Sequence, residues 1–365
     1  MKLTARGFAA VAAAVGAVLL WAAGCAGPRT PRAVEDAQAL ERGGEHDAEA
    51  LAAWSRIADT LCAKAQMKGD PKDDCGLSLI HQAQLLENLG RTAEAAVLWE
   101  TAADRAGHPV NAARALARAS ELYAGPLGDP DHAARDAWKC IDHWPGEMPT
   151  DVALSVAVRL DRARDPRALL AKLDALAPRI ARDDLVDNVR FAAAEIAEHE
   201  LADPKDAVRR YDALAADYRR SSLRDDALWR AAHLLRDAGD PEGALKRLQL
   251  LLATRRRALI TGSYNSEWLD DAQLLAGRIY LDDLHDPARA ATAFLFLADD
   301  FKDSILRDDA LLELARARLA AGDHDGACAA LDRLIMQFPD GNQLRATGEK
   351  RAALACPPAK PSAPR

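Results

Sequence analysis

Gly239-Asp240-Pro241-Glu242-Gly243-Ala244 returns as His285-Asp286-Pro287-Ala288-Arg289-Ala290 and as Gly322-Asp323-His324-Asp325-Gly326-Ala327. Upstream copies are Asp203-Pro204-Lys205-Asp206-Ala207, Asp165-Pro166-Arg167-Ala168, Gly128-Asp129-Pro130-Asp131-His132-Ala133 and Gly90-Arg91-Thr92-Ala93-Glu94-Ala95. A degenerate first copy surrounds Gly43-Gly44 and leads to Ala50. The alanines after the turn therefore fall at 50, 95, 133, 168, 207, 244, 290 and 327, in steps of 35 to 46 residues, the period of stacked two-helix units. Each residue type has a physical reason at its place. Gly or Asp stops one helix, Asp caps the next, Pro fits its first turn, and Ala lets two helices approach closely.

Helical spacing continues on both sides of the turn. Leu311, Leu314, Ala315 and Arg318 precede the last copy, Ala327, Leu331 and Leu334 follow it, and Phe338-Pro339 ends the unit. Leu228, Ala231, Ala232 and Leu235 pair in the same way with Ala244, Leu248 and Leu251, and Leu274, Gly277 and Leu281 pair with Ala290, Phe294 and Leu297. These residues resemble the tetratricopeptide repeat family, whose unit is a pair of antiparallel helices of about 34 residues. The pattern is closest from about Asp187 to Pro339 and weakest around residues 146 to 185. The resemblance implies an all-α fold, a right-handed superhelical solenoid of about eight such hairpins over residues 31–355. The two longest steps imply insertions, one holding Cys62 to Cys75 and the other Ala258 to Glu267.

Helix starts repeat as well. Ser221-Ser222-Leu223-Arg224-Asp225-Asp226-Ala227-Leu228 and Ser304-Ile305-Leu306-Arg307-Asp308-Asp309-Ala310-Leu311 are near copies, and Trp268-Leu269-Asp270-Asp271-Ala272 is a relative. With Tyr218, Phe301 and Phe338-Pro339-Asp340-Gly341 before such starts, they resemble envelope proteins built of tetratricopeptide repeats: the lipoprotein of the outer-membrane barrel-assembly machinery, and the periplasmic division coordinator that works with the Tol-Pal system.

The chain begins Met1-Lys2-Leu3-Thr4-Ala5-Arg6 and then stays uncharged from Gly7 through Gly27, the layout of a secretory signal peptide over residues 1–24. Leu20-Trp21-Ala22-Ala23-Gly24-Cys25 resembles the lipobox of bacterial lipoproteins, with Ala22 where that family usually has Leu. The resemblance implies an acylated Cys25 at the mature N-terminus, followed by a linker over residues 25–30. Ala26 stands where an inner-membrane lipoprotein typically carries Asp, which implies the outer membrane, facing the periplasm. Each buried acyl methylene contributes about 0.8 kcal/mol, so two or three chains hold a protein at a bilayer without a spanning helix.

Without Lys2 and Arg6 the chain keeps 46 basic residues against 56 acidic, a net charge of −10 in place of −8. That sign argues against nucleic acid or an anionic membrane face as the main ligand, since both reward basic patches. The Pro-rich end, residues 356–365, reads as a disordered tail. In an oxidising compartment Cys62 can pair with Cys75 and Cys328 with Cys356, leaving Cys140. No CxxC occurs and the cysteine spacings are irregular, so zinc held by cysteines finds no support, and no metal or cofactor is expected.

Site-like residues have plainer readings. The aspartate pairs 225/226, 270/271 and 308/309 read as first-turn carboxylates that offset the helix dipole. Asp323-His324-Asp325-Gly326 lacks the later ligands of a calcium loop and reads as a turn. Glu195 and His199 lie four apart with no third ligand, and Arg255-Arg256-Arg257 ends a helix, where positive charge is favourable. GxSxG, GxxxxGK[ST] and nucleotide fingerprints are missing, so no enzyme chemistry and no small-molecule substrate is expected. A protein-binding groove remains, with Trp229, His233 and Arg236 at helical spacing and Leu312 with Arg316 on the matching stripe of the last unit. Three readings stand: a lipid-anchored scaffold that binds other envelope proteins or peptides, a non-catalytic docking or regulatory subunit of a peptidoglycan-modifying complex, and a mainly structural envelope component that binds peptidoglycan.

Overall fold

The computed structural model describes residues 32–42, 44–64, 74–180, 183–261, 266–341 and 343–357. Expectations for the signal peptide, Cys25, the linker and residues 358–365 lie outside the described residues, as do the side chains of Arg255, Arg256 and Arg257. Among the described residues there are seventeen α-helices and no strand. The chain divides into two compact units, residues 1–157 and 158–365, with the division falling inside one helix.

The first unit holds three antiparallel hairpins: α1 (Arg32–Glu41) with α2 (Asp47–Lys64), α3 (Asp74–Asn88) with α4 (Thr92–Arg105), and α5 (Pro109–Ala124) with α6 (Pro130–His143). The helix that carries the division, α7 (Thr150–Arg164), is followed by α8 (Pro166–Leu176). In the second unit α9 (Asp183–Glu195) precedes α10 (Pro204–Asp217), α11 (Leu223–Asp237) precedes α12 (Pro241–Thr261), α13 (Leu269–Arg278) precedes α14 (Pro287–Asp300), and α15 (Arg307–Ala320) precedes α16 (His324–Gln337). A last helix, α17 (Leu344–Ala353), follows α16.

One turn builds the hairpins. The side chains of Asp129, Asp165, Asp203, Asp240, Asp286 and Asp323 each accept from the backbone N–H three residues on, at 2.8–3.0 Å, which satisfies a donor the helix leaves free. Four residues after the cap, the chain faces the partner helix: Ala133, Ala207, Ala244, Ala290 and Ala327 are fully buried there. The fourth copy departs from the sequence reading. Leu169, not Ala168, stands four residues after its cap; Leu169 is fully buried and Ala168 is exposed. The cap sets the helical phase, so aligning on alanine placed this copy one residue out of register.

Two first helices end in a wider turn than plain helical spacing predicts. α9 continues as a π-helix over Ile196–Glu200, and α13 as one over Ile279–Asp283. The residues just before those two caps, Ala202 and His285, take φ of 49° and 52°, where glycine serves at 90, 128, 239 and 322.

Small residues at the turn bring large ones together at the seams. Phe294, Leu248, Leu251, Leu297, Leu311 and Leu331 are fully buried in one cluster of the second unit, and each such side chain contributes roughly 1.5–3 kcal/mol over leaving it in water. In the first unit Trp54, Ile57 and Leu85 pack with Ala37 and Ala50. Second helices are also tied to one another by charge at a spacing of one repeat: Lys139 to Asp104, Arg210 to Asp174, Arg247 to Asp212 and Arg333 to Asp299. Part-exposed pairs of this kind contribute about 0–1 kcal/mol each, so they fix register more than they add stability.

Disulfides join Cys62 to Cys75 and Cys328 to Cys356, and Cys140 is free and buried. The second bond corrects the expected tail at its first residue, because Cys356 is held to α16 rather than hanging free.

Candidate functional site

Phe191 and Glu198 from α9 and its π-turn, Leu223, Trp229, Arg230 and His233 from α11, and Trp268 before α13 line a recess of about 550 Å3 in the second unit. Its floor is aromatic. The Trp229 and Trp268 rings stack with centroids 5.1 Å apart, and His233 meets Trp229 edge-on at 4.3 Å. Helical spacing explains the α11 contribution, since residues 226, 229, 230 and 233 share one face of that helix. Trp229 is half-buried: it packs on the core cluster and also lines the recess.

Charge rims this floor. Asp226 Oδ1 accepts from Trp268 Nε1 at 2.7 Å, which fixes the indole plane. Arg230 reaches Glu195 and Glu198, each at 3.3 Å, and its Nη1 lies 3.0 Å from His199 Nε2. Glu195 also takes Arg162, at 3.2 Å. Two cations thus occupy the carboxylate of the Glu195 and His199 pair, which accounts for it without a metal. Burial holds the His233 imidazole below its ordinary range, and its Nε2 is buried with no hydrogen-bond partner. A neutral ring at neutral pH follows.

The remaining groove candidates sit elsewhere. Arg236 donates to Asp283 at 2.6 Å and does not line the recess. Leu312 is half-buried against the core, and Arg316, exposed, pairs with Asp282 and Glu313. Trp229 and His233 are therefore brought together, and Arg236, Leu312 and Arg316 are not brought to them. Phe191, Glu198, Arg230 and Trp268 escaped the sequence reading; for Trp268 the signal was its place at a repeated helix start.

Aspartate pairs at the helix starts do more than offset a dipole. Asp270 Oδ2 accepts from Ser304 Oγ at 2.6 Å, Asp309 Oδ1 from Gln343 Nε2 at 2.8 Å, and Asp225 from Thr254 at 3.4 Å and from Ser266. Ser221, Ser266 and Ser304 in turn each accept from the backbone N–H two residues on. The repeated Ser…Asp-Asp signature therefore stitches the start of one hairpin to the start of the next. In the turn at 323–326, Asp323 simply caps Gly326 N–H at 2.8 Å.

Residues 309–341 match the family model of the tetratricopeptide repeat. This matched repeat comprises most of α15, all of α16 and the Phe338-Pro339 end of the unit. None of the curated proteins compared with the chain matches it. Among solved structures, a tetratricopeptide repeat protein of Parabacteroides merdae is similar over 89% of this chain and 98% of its own, at 14% identity and a TM-score of 0.31. PilF of Pseudomonas aeruginosa is similar over 77% of this chain and 100% of its own, at 13% identity and a TM-score of 0.31. A signal-transduction ATPase with a tetratricopeptide repeat sensor, from Pyrococcus horikoshii, is similar over 88% of this chain and 50% of its own, at 14% identity and a TM-score of 0.44.

Proposed function

We propose that this chain is a lipid-anchored scaffold of a bacterial cell envelope, held at the outer membrane through Cys25 and facing the periplasm, that binds partner proteins and catalyses nothing. The observation that carries the binding reading is the stacked Trp229–Trp268 floor beside Arg230, half-buried in a concave recess. Tryptophan and arginine in such a setting are the usual energetic anchors of interfaces. The rim carries the carboxylates of Glu198 and Asp226, and Arg230 is already shared between Glu195 and Glu198. An apolar or basic side chain of a partner peptide suits that combination, because a cation over an indole face gains about 0.5–2 kcal/mol. The anchor reading rests on the lipobox-like run ending at Cys25.

Both halves are open to direct test. Cell fractionation of the full-length chain and of Cys25→Ser addresses the anchor: the native protein should pellet with membranes and the variant should not. Affinity capture from detergent-solubilised envelopes, with the native protein beside Trp229→Ala, addresses the recess. A partner held by the native protein and lost by the variant supports it, and a partner held equally by both removes it.

A further inference from the structure

We propose that Glu100, His132 and Asp136, in the first unit, form a binding site for a divalent transition-metal ion of the zinc type, independent of the proposed function. His132 and Asp136 lie one turn apart on α6, so their side chains share a face, and Glu100 faces them from α4 of the preceding hairpin. His132 Nε2 is 2.7 Å from Glu100 Oε1 and 3.8 Å from Asp136 Oδ2, and one donor atom from each residue lies within 4.8 Å of the others. Ligands about 2.0–2.2 Å from a tetrahedral zinc stand roughly 3.4 Å apart, so changes of at most about 1.4 Å in their separations, shared between flexible side chains, bring the three into range.

Burial supplies the independent sign. Asp136 is only 6% exposed, and its Oδ2, aimed at this cluster, has no hydrogen-bond partner. A buried carboxylate oxygen left unpaired costs free energy unless something neutralises it. Elsewhere in this unit Glu87 takes Arg118 and Asp104 takes Lys139 across hairpins, and Glu41 takes the His81 imidazole, with no second carboxylate on that ring among the described residues. Among the described residues, the ion-pair partner of Glu100 and Asp136 is His132, while Arg135 and Lys139 add coulombic attraction to Asp136 without pairing with it, so two carboxylates share an imidazole and a dication adds positive charge where they meet.

The surroundings are those of a metal-ligating histidine. Tyr123 stacks on the His132 ring at 3.8 Å and donates its hydroxyl to Glu100 Oε2 at 3.2 Å, which fixes both ligands. His132 Nδ1, the nitrogen away from the cluster, lies 3.8 Å from Asp129 Oδ2, the carboxylate that also caps α6. That separation is beyond hydrogen-bond reach; a closer approach would let this carboxylate orient the ring and raise its basicity toward a metal. Glu100 and His132 are each about a quarter exposed, leaving a way in and a position for a water ligand. Burial and the Glu100 charge push the Asp136 carboxyl up to about 6, the direction a bound cation would reverse.

Zinc titration of the full-length chain, stripped with EDTA, dialysed and kept without reductant, tests the site by calorimetry beside Asp136→Asn and His132→Gln. One equivalent should bind, zinc should raise the melting temperature, and each variant should lose affinity by roughly tenfold or more. No binding, or binding that both variants retain undiminished, overturns the proposal. Should a variant lose its helical circular dichroism, cobalt added to the wild-type chain decides the matter. Intense visible bands of a four- or five-coordinate ion support the site, and the weak spectrum of the hydrated ion overturns it.

Discussion

The Trp268 indole lies on that of Trp229, centroids 5.1 Å apart and 12° from parallel, while its Nε1 donates to Asp226 at 2.7 Å. One side chain thus anchors the entry of α13 on α11 and floors the recess. Trp268→Phe keeps a ring but leaves Asp226 without this donor, and it should cost about 1 kcal/mol of stability. Trp268→Ala also forfeits the stack and half-buried apolar area, and it should cost about 2–4 kcal/mol. Urea denaturation followed by far-UV circular dichroism measures both; equal costs would remove the hydrogen bond from the account.

Gly277 lies in α13 directly under the Phe294 ring of α14, so that a methyl at position 277 would stand inside van der Waals distance of the ring. Phe294 is fully buried and has little room to retreat. Gly277→Ala should therefore destabilise by about 1–3 kcal/mol, against the usual gain of replacing a helical glycine with alanine. A raised melting temperature for this variant would show that the two helices do not meet so closely.

Ala202 and His285 hold positive φ at the place where other copies of the turn use glycine. Ala202→Gly and His285→Gly should each stabilise by about 0.5–1 kcal/mol, because glycine adopts this conformation without a Cβ clash. Thermal denaturation of the single variants checks the sign, and a loss in both would contradict the strain argument.

His233 gives the fold a dependence on acid. Its folded pKa lies below the ordinary value because burial disfavours the imidazolium; Asp237, Glu198 and Asp271 oppose that shift and Arg236 adds to it. The unfolded chain therefore binds this proton more readily than the folded one. This contribution to stability is intact above pH 6.5 and is lost as pH falls below it. His233→Gln should flatten that part of the profile. Urea midpoints of both proteins between pH 7.5 and 5 should diverge, and parallel curves would show that His233 does not carry the effect.

The hairpins were legible because their signal is local. In Gly239-Asp240-Pro241 the stop, the cap and the first helical residue are adjacent, and each acts through its own backbone. Ala168 matches the other alanines in type but not in phase, because the phase follows the capping Asp165, which puts Leu169 at the buried position. Trp229 and His233 could be read as one face from their spacing, but Trp268 reaches them across a whole hairpin. Arg236 shared that spacing and went instead to Asp283, a partner 47 residues away on a π-turn that periodicity does not announce. Glu100 and His132 are separated by about one repeat, in adjacent second helices, so only a register of the copies against one another would have set them side by side.

Site-specific photocrosslinking tests the central claim most directly. A benzoylphenylalanine placed at Leu223, on the lip of the recess, in the native lipidated protein should give one discrete adduct with an envelope protein, and Trp229→Ala should abolish it. The same probe at the exposed Val97 of the first unit should give none. An adduct from Val97 alone, or a Leu223 adduct that survives Trp229→Ala, would contradict the assignment of partner binding to this recess.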